Sequence, residues 1–257
     1  MTLSVTIITK NAASTLERCL QSVAWADEIV VVDSSSTDRT PEICHLHGVR
    51  FINTTEWHGF GFQKNIALQA ATGDWVLSLD ADEWLTPDLI AQIQSRLLQS
   101  DHPAAFAIPR LSSFCGRDIR HSGWWPDYVV RLFKPTQARF SDDLVHEHLI
   151  VDGEIQQLTL PLRHETTTSL EQALDKMNRY STASAQSLYQ RGRRATLWTA
   201  LSHGLWAFIR TYIFRRGFLD GTEGFLLAIA NAEGSYYRYV KLMQLHRQHQ
   251  RKTTDSR

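Results

Sequence analysis

Cysteine is scarce: Cys19, Cys44 and Cys115 are the only three in 257 residues. An odd, scattered set has neither the pairing of a disulfide framework nor the spacing of a metal or redox motif, and it fits reduced thiols in a cytosol. Net charge is missing too, with 27 basic residues balancing 27 acidic ones. Bulk electrostatic attraction to nucleic acid therefore has no basis, and no nucleic-acid partner is expected. The opening Met1-Thr2-Leu3-Ser4 lacks a basic stretch ahead of an apolar core, so no signal peptide is expected. Gly59 and Gly61 match neither the dinucleotide fingerprint nor the P-loop spacing, which removes both nucleotide motifs. Internal repeats and low-complexity stretches are absent as well.

What is present is an ordinary globular composition, 43% hydrophobic and 21% charged, enough for one large core or a domain with an appendage. The N-terminal part alternates two patterns. Leu3 to Thr9 is short and β-branched, and so is Glu28 to Asp33, with Val49 to Asn53 as a third such run. Between the first two, Leu16, Cys19, Leu20 and Val23 fall on one helical face. Thr40-Pro41-Glu42 opens another helix, with Thr40 as the expected cap. Strands alternating with helices imply a mainly parallel sheet, whose ligands lie at the carboxyl ends of the strands.

The stretch Gly73 to Glu83 stands out. Trp75 to Leu79 reads as a strand buried on both faces, and it stops at Asp80-Ala81-Asp82. Residues two apart on an extended segment point the same way, so the two carboxylates project together and repel unless a positive charge lies between them. A hard divalent cation, Mg²⁺ or Mn²⁺, shared with substrate phosphates meets that need. A solvated acidic turn ahead of the helix at Thr86-Pro87-Asp88 accounts for the same residues without a site. Asp33 ends a strand in the same way. Lys64, in the first turns of the helix that Gly73 ends, is placed to reach a phosphate as a point charge or to stand as one exposed lysine among many.

Further along, Ala105 to Pro109 and Tyr128 to Phe133 are strand-like, with Gly123-Trp124-Trp125-Pro126-Asp127 as an aromatic turn between them. That Trp pair either covers the core or forms a platform for a sugar ring. Asp142-Asp143-Leu144-Val145-His146-Glu147-His148 is the densest run of titratable groups, a source for a general base or a charged loop. The last third is helical in pattern. Ser169 to Gln190 is amphipathic, and Leu197 to Phe214 is apolar around most of its circumference, with Thr196, Thr199, His203 and Arg210 on one narrow polar face. Arg191, Arg193 and Arg194 precede that segment and Arg215 and Arg216 close it. Arg210 inside it makes spanning costly, so a helix lying in the plane of an anionic membrane surface fits better, with a buried core or dimer helix as the alternative. The tail from His246 is polar and reads as frayed.

Val5-Thr6-Ile7-Ile8-Thr9-Lys10-Asn11, Val30 to Asp38, Lys64-Asn65 and Leu79 to Glu83, taken in that order, closely resemble family 2 of the inverting, nucleotide-sugar-dependent glycosyltransferases. Gly123-Trp124, Arg131-Leu132-Phe133, Asp142 to Glu147 and Gly217 to Gly221 look like a narrower branch, the bacterial lipopolysaccharide core β-1,4-glucosyltransferases. The resemblance implies an α/β GT-A fold, Rossmann-like, with a catalytic domain at 1–165 and a helical, membrane-associating extension at 166–257. It implies a UDP-sugar donor, UDP-glucose for the narrower branch, and transfer to the inner-core heptose of a lipid-anchored lipopolysaccharide. It places such an enzyme in the cytoplasm, peripheral on the inner membrane of a Gram-negative bacterium. Residue by residue, Asp33, Lys64 and Asp80 are expected at the donor, and Asp80, Asp82 and His146 at a divalent metal, with His164 as a further candidate. Glu147 is expected as the base, with Asp142 and Asp143 as rivals and pairing with Arg131 or Arg139 as its structural alternative. Many members carry two adjacent acids where this chain has Asp33-Ser34, so a second carboxylate contact to the nucleotide is not expected there. The same fold also serves a polyprenyl-linked or protein acceptor, or a non-catalytic nucleotide-sugar binder.

Overall fold

The computed structural model describes residues 1–141 and 147–255, and the chain forms two compact units. One consists of Met1–Leu111 with Pro126–His164, the other of Ser112–Trp125 with Glu165–Arg257.

In the first unit β1 (Leu3–Thr9), α1 (Leu16–Val23), β2 (Glu28–Asp33), α2 (Thr40–Leu46), β3 (Arg50–Asn53), α3 (Phe60–Ala70) and β4 (Trp75–Asp80) alternate as the sequence predicts. Strands β3, β2, β1 and β4 lie side by side in that order, all parallel. After β5 (Glu83–Trp84) and α4 (Pro87–Leu97), the sheet stops being parallel. β6 (Ala105–Phe114), β7 (Arg117–Asp118) and β8 (Asp127–Phe133) follow, and β8 runs antiparallel to both β4 and β6. β9 (Ala138–Phe140) and β10 (Leu149–Val151) form a separate antiparallel pair. β11 (Ile155–Gln157) lies parallel to β6, and β12 (Leu162–Thr167) pairs antiparallel with β5. The sheet is thus mixed, parallel in its N-terminal half only.

β4 is buried on both faces because strands flank it on either side and its residues alternate between two cores. Trp75, Leu77 and Leu79 join Val5, Ile7, Leu20 and Ile93 on one face. Val76 points the other way, toward Phe133 and Phe140. Each such side chain contributes about 1.5–3 kcal/mol by leaving water. Cap chemistry sets two helix starts. Thr86 Oγ1 accepts from Leu89 N at 3.3 Å, with Pro87 at the first helical position of α4. Thr40 does not cap α2 as expected. It is the first helical residue, its own N donates to Asp38 Oδ1 at 3.0 Å, and its hydroxyl accepts from Ala12 N at 2.8 Å.

The second unit contains α5 (Leu170–Gln190), α6 (Leu197–Ile209), a π-helical turn at Arg210–Phe214, a 3₁₀ turn at Gly217–Asp220 and α7 (Gly221–Asp255). The tail read as frayed instead continues α7 to Asp255. Buried Asp220 ties residues 120–122 into this unit. Its carboxylate accepts from Arg120 N at 3.0 Å, His121 N at 3.1 Å, His121 Nδ1 at 3.0 Å and Ser122 Oγ at 3.0 Å. Trp124 packs edge-on against Phe114 with ring centroids 6.1 Å apart, beside a small core of Ile119, Ala173 and Leu227. Trp124 therefore covers a core, the plainer of its two readings. Among the described residues no helix is long and apolar enough to cross a membrane.

Candidate active site

The parallel strands end together. Strand register sets Thr9 beside Asp33 and Ile8 beside Asp80, so both acids lie at the carboxyl edge of the sheet. Their carboxylates then do different things. Asp33 is 1% exposed. It accepts from Thr9 Oγ1 at 2.7 Å, Ser36 N at 2.7 Å and Ser36 Oγ at 2.6 Å. Those bonds shape the turn after β2, where Ser35 takes a left-handed φ of 55°. Lys10 Nζ holds the same turn by donating to the carbonyls of Ser34 and Ser35.

Asp80 is held by charge. Lys64 Nζ lies 3.0 Å from Asp80 Oδ1, and Arg131 Nη2 donates to Asp80 Oδ2. Burial opposes ionisation of Asp80, but the positive charges of Arg131 and Lys64 prevail and keep its carboxyl well below the usual range. Arg131 is itself buried, and the charges of Asp80 and Glu83 hold it firmly protonated against that burial. Glu83, fully buried, accepts from Arg131 Nη2 at 2.7 Å and from the backbone N of Asp80 at 3.0 Å. Arg110 Nη1 adds a contact to Glu83 at 3.5 Å, while its Nη2 bonds Asp127 Oδ2 at 2.7 Å.

Lys64 has a second partner. Its Nζ donates to Glu147 Oε1 at 3.2 Å, so one ammonium bridges Asp80 and Glu147. Neither arginine considered from sequence takes that place, since Arg131 goes to Asp80 and Glu83. The bridge depends on how α3 is seated. Asn65 clamps β9 with Nδ2 to Phe140 O and Phe140 N to Oδ1, each 3.0 Å. A Cβ at Gly61 would come within 2.0 Å of the Ser141 carbonyl, so only glycine permits this approach. A cavity of about 350 Å³ opens here, lined by Lys64, Asp80, Arg110, Phe140 and Glu147 among others. His146, Asp142 and Asp143 lie outside the described residues.

Asp82 stands apart from this network. His164 Nε2 lies 3.4 Å from Asp82 Oδ2, brought there by the pairing of β12 with β5. Both Asp80 oxygens face cations, Lys64 on one and Arg131 on the other. Among the described residues no three His, Cys, Asp or Glu side chains converge as a protein-built metal cage. The donor set fits a cation that completes its coordination with substrate oxygens. Among the described residues, Lys64, Arg110 and Arg131 face Asp80, Glu83, Asp127 and Glu147, three cations against four carboxylates.

A family model described as glycosyl transferase family 2 matches residues 4–149, a span that holds β1 to β4, Lys64, the Asp80 network and Glu147. The chain belongs to this family. Across its length it is 30% identical to an uncharacterized glycosyltransferase of Rickettsia typhi, with 95% of this chain and 87% of that protein covered. It is 28% identical to the lipopolysaccharide core biosynthesis glycosyltransferase LpsC of Rhizobium meliloti, covering 95% of this chain and 93% of LpsC. The crystal structure of Staphylococcus aureus TarS 1-349 superposes with a TM-score of 0.51 at 15% identity, covering 96% of this chain and 92% of that one. That likeness shows the GT-A fold. This glycosyltransferase is thus a nucleotide-sugar-dependent enzyme of mixed α/β architecture with C-terminal helices.

Arg131, Glu83, Arg110 and Asp127 are the site residues that sequence reasoning did not assign. A signal existed for the first: Arg131 is the one charged residue in the strand run Tyr128 to Phe133, with apolar Val129 and Phe133 as its same-face neighbours.

Proposed function

We propose that this enzyme transfers glucose from UDP-glucose, with inversion, to the inner-core heptose of lipopolysaccharide, working from the cytoplasmic side of the inner membrane where the lipid-anchored acceptor is presented. Its likeness to LpsC along nearly the whole chain supports a lipopolysaccharide core acceptor. The observation that carries the catalytic part is the Lys64 bridge, which sets the Glu147 carboxylate and the strand-end acid Asp80 around one cavity.

Glu147 is the general base. Its oxygen takes the proton of the acceptor hydroxyl as that oxygen attacks the anomeric carbon from the face opposite the leaving group. The bond from the anomeric carbon to the diphosphate oxygen breaks as the new glycosidic bond forms, with oxocarbenium character between them. One displacement turns an α-linked donor into a β-linked product. Lys64 orients Glu147 and supplies a positive charge toward the diphosphate. Asp33 acts on the nucleotide side by shaping the 34–36 turn. Asp82 and His164 are the residues to hold Mg²⁺ or Mn²⁺, which when bound offsets charge on the UDP leaving group.

Incubation with a panel of UDP-sugars and heptose-bearing truncated lipopolysaccharide, followed by mass analysis, tests this reading. One added hexose, from UDP-glucose alone and abolished by chelator, is expected. Full activity in excess chelator would remove the metal. Transfer only to a polyprenyl-linked glycan would move the acceptor, and tight UDP-glucose binding without any turnover would make the chain a binder.

A further inference from the structure

Helix α6 is built inside out. Its buried positions are Ala200, Gly204 and Ala207, followed by Thr211 in the π-helical turn, a single face at helical spacing made only of small side chains. That face lies close to α7: a Cβ at Gly204 would sit 3.2 Å from Tyr236 Cβ and 3.3 Å from the Ala232 carbonyl. The large side chains point away. Trp198 is 81% exposed and Phe214 is 67% exposed, with Leu201, Leu205, Trp206 and Ile213 also on the surface. A water-facing helix normally does the reverse, and exposed large apolar side chains grouped on one short segment mark a surface that meets another phase or partner.

Charge selects the partner. From Arg191 to Leu219 the chain carries six arginines, at 191, 193, 194, 210, 215 and 216, and no aspartate or glutamate. All six are exposed. An apolar strip rich in tryptophan and framed by arginines at both ends matches a bilayer whose headgroups are anionic: rings settle at the headgroup boundary while guanidinium groups reach phosphates. We infer that the outer face of α6 and the following turns, from Trp198 to Phe214, is the seat by which this enzyme lies on an anionic phospholipid surface. The inference rests on the reading above for why a membrane is met at all, and it names the residues and the lipid chemistry that reading lacks. The small-residue face fixes the helix to α7, so the outward face stays available without unfolding anything.

Co-sedimentation of the full-length enzyme with phosphatidylcholine vesicles, with and without phosphatidylglycerol, tests it. Binding to the anionic vesicles only, weakened by salt as screening shortens the reach of the arginines, is expected. The triple variant Trp198→Ser, Trp206→Ser, Phe214→Ser should lose binding while keeping its thermal melt. Arg193→Gln with Arg194→Gln should weaken binding by about fivefold per arginine. The arginine pair is surface-exposed and keeps the test decisive if the serine variant does not fold. Equal pelleting with neutral and anionic vesicles would overturn the inference. So would a wild type that is dimeric by light scattering without vesicles and becomes monomeric in the serine variant, which would mean a second copy covers the face. Transfer to a detergent-dispersed acceptor should be unchanged in both variants. Absence of that transfer in the wild type would sink the proposed reaction while leaving the vesicle result to stand alone.

Discussion

In α4 the buried residues are Leu89 and Ile93 and the exposed ones include Asp88, Gln94 and Ser95. In α6 the buried residues are Ala200, Gly204 and Ala207 and the exposed ones include Trp198, Leu205 and Trp206. Both helices are amphipathic by volume, in opposite senses. The sheet unit is stabilised by removing large apolar groups from water, and it leaves charge at the strand ends, where Lys64 and Arg131 counter Asp80. The helical unit holds α6 by close backbone approach and leaves its large apolar groups outside. Stability in the first depends on side-chain volume and buried charge balance. In the second, the same residue types lie on the outside.

The largest stability effect belongs to the buried charges. Arg131→Ala leaves Glu83 fully buried and Asp80 short of a partner, and removing one member of such a network typically costs about 3–5 kcal/mol. Chemical denaturation measures it. The pH dependence has a definite sign: Asp80 ionises more readily folded than unfolded, so its stabilisation is present above the ordinary carboxylate range and lost as pH falls through its own lower value. The gap between wild type and Arg131→Ala should therefore be largest above the ordinary carboxylate range, begin to narrow as pH falls into that range, and go on narrowing toward Asp80's own lower value. A constant gap down to the most acidic folded condition would show that packing, not charge, is what Arg131 supplies.

The helices themselves give the next contrast. Leu89→Ala should cost about 2–5 kcal/mol through the cavity it leaves. Trp198→Ser, removing a larger side chain, should change stability by about 0.5 kcal/mol or less. Comparable losses in the two variants would mean that the α6 face is covered in solution.

Thiol reactivity is the smallest effect. Burial, with nearby acids adding to it, pushes the Cys19 thiol well up, and burial together with Asp33 raises Cys44 to about 11. Both should resist alkylation in the native state at mildly alkaline pH and react once the chain is unfolded, as mass analysis would show. Rapid native labelling of either would contradict the packing around Asp33 and the Asp80 strand end.

Much of the first unit was legible because local pattern and final environment agree there. Short β-branched runs became β1 to β4, and the apolar run ending in Asp80 became the buried central strand with its acid at the edge. The antiparallel half was not legible, since β8 joins β4 through pairings between residues far apart in sequence. α3 shows another limit. Its buried residues include Gln63 and Lys64, while Phe60 and Phe62 face water, so apolar periodicity points to the wrong side. The Asp82–His164 contact exists only because β12 returns to pair with β5, and nothing local to either residue announces it. Asp33 was placed correctly at a strand end, yet its hydrogen bonds to Thr9 and Ser36 depend on loop geometry that composition does not encode.

The proposed transfer turns on Glu147, and Glu147→Gln tests it most directly because the amide keeps size and much of the hydrogen bonding but cannot take the proton. UDP-glucose affinity by calorimetry and transfer to truncated lipopolysaccharide should be measured on the same folded preparation. Transfer is expected to fall by about 10²- to 10⁴-fold while donor affinity stays close to that of the wild type. Normal transfer by the folded variant would contradict the account and move the base to Asp142 or Asp143.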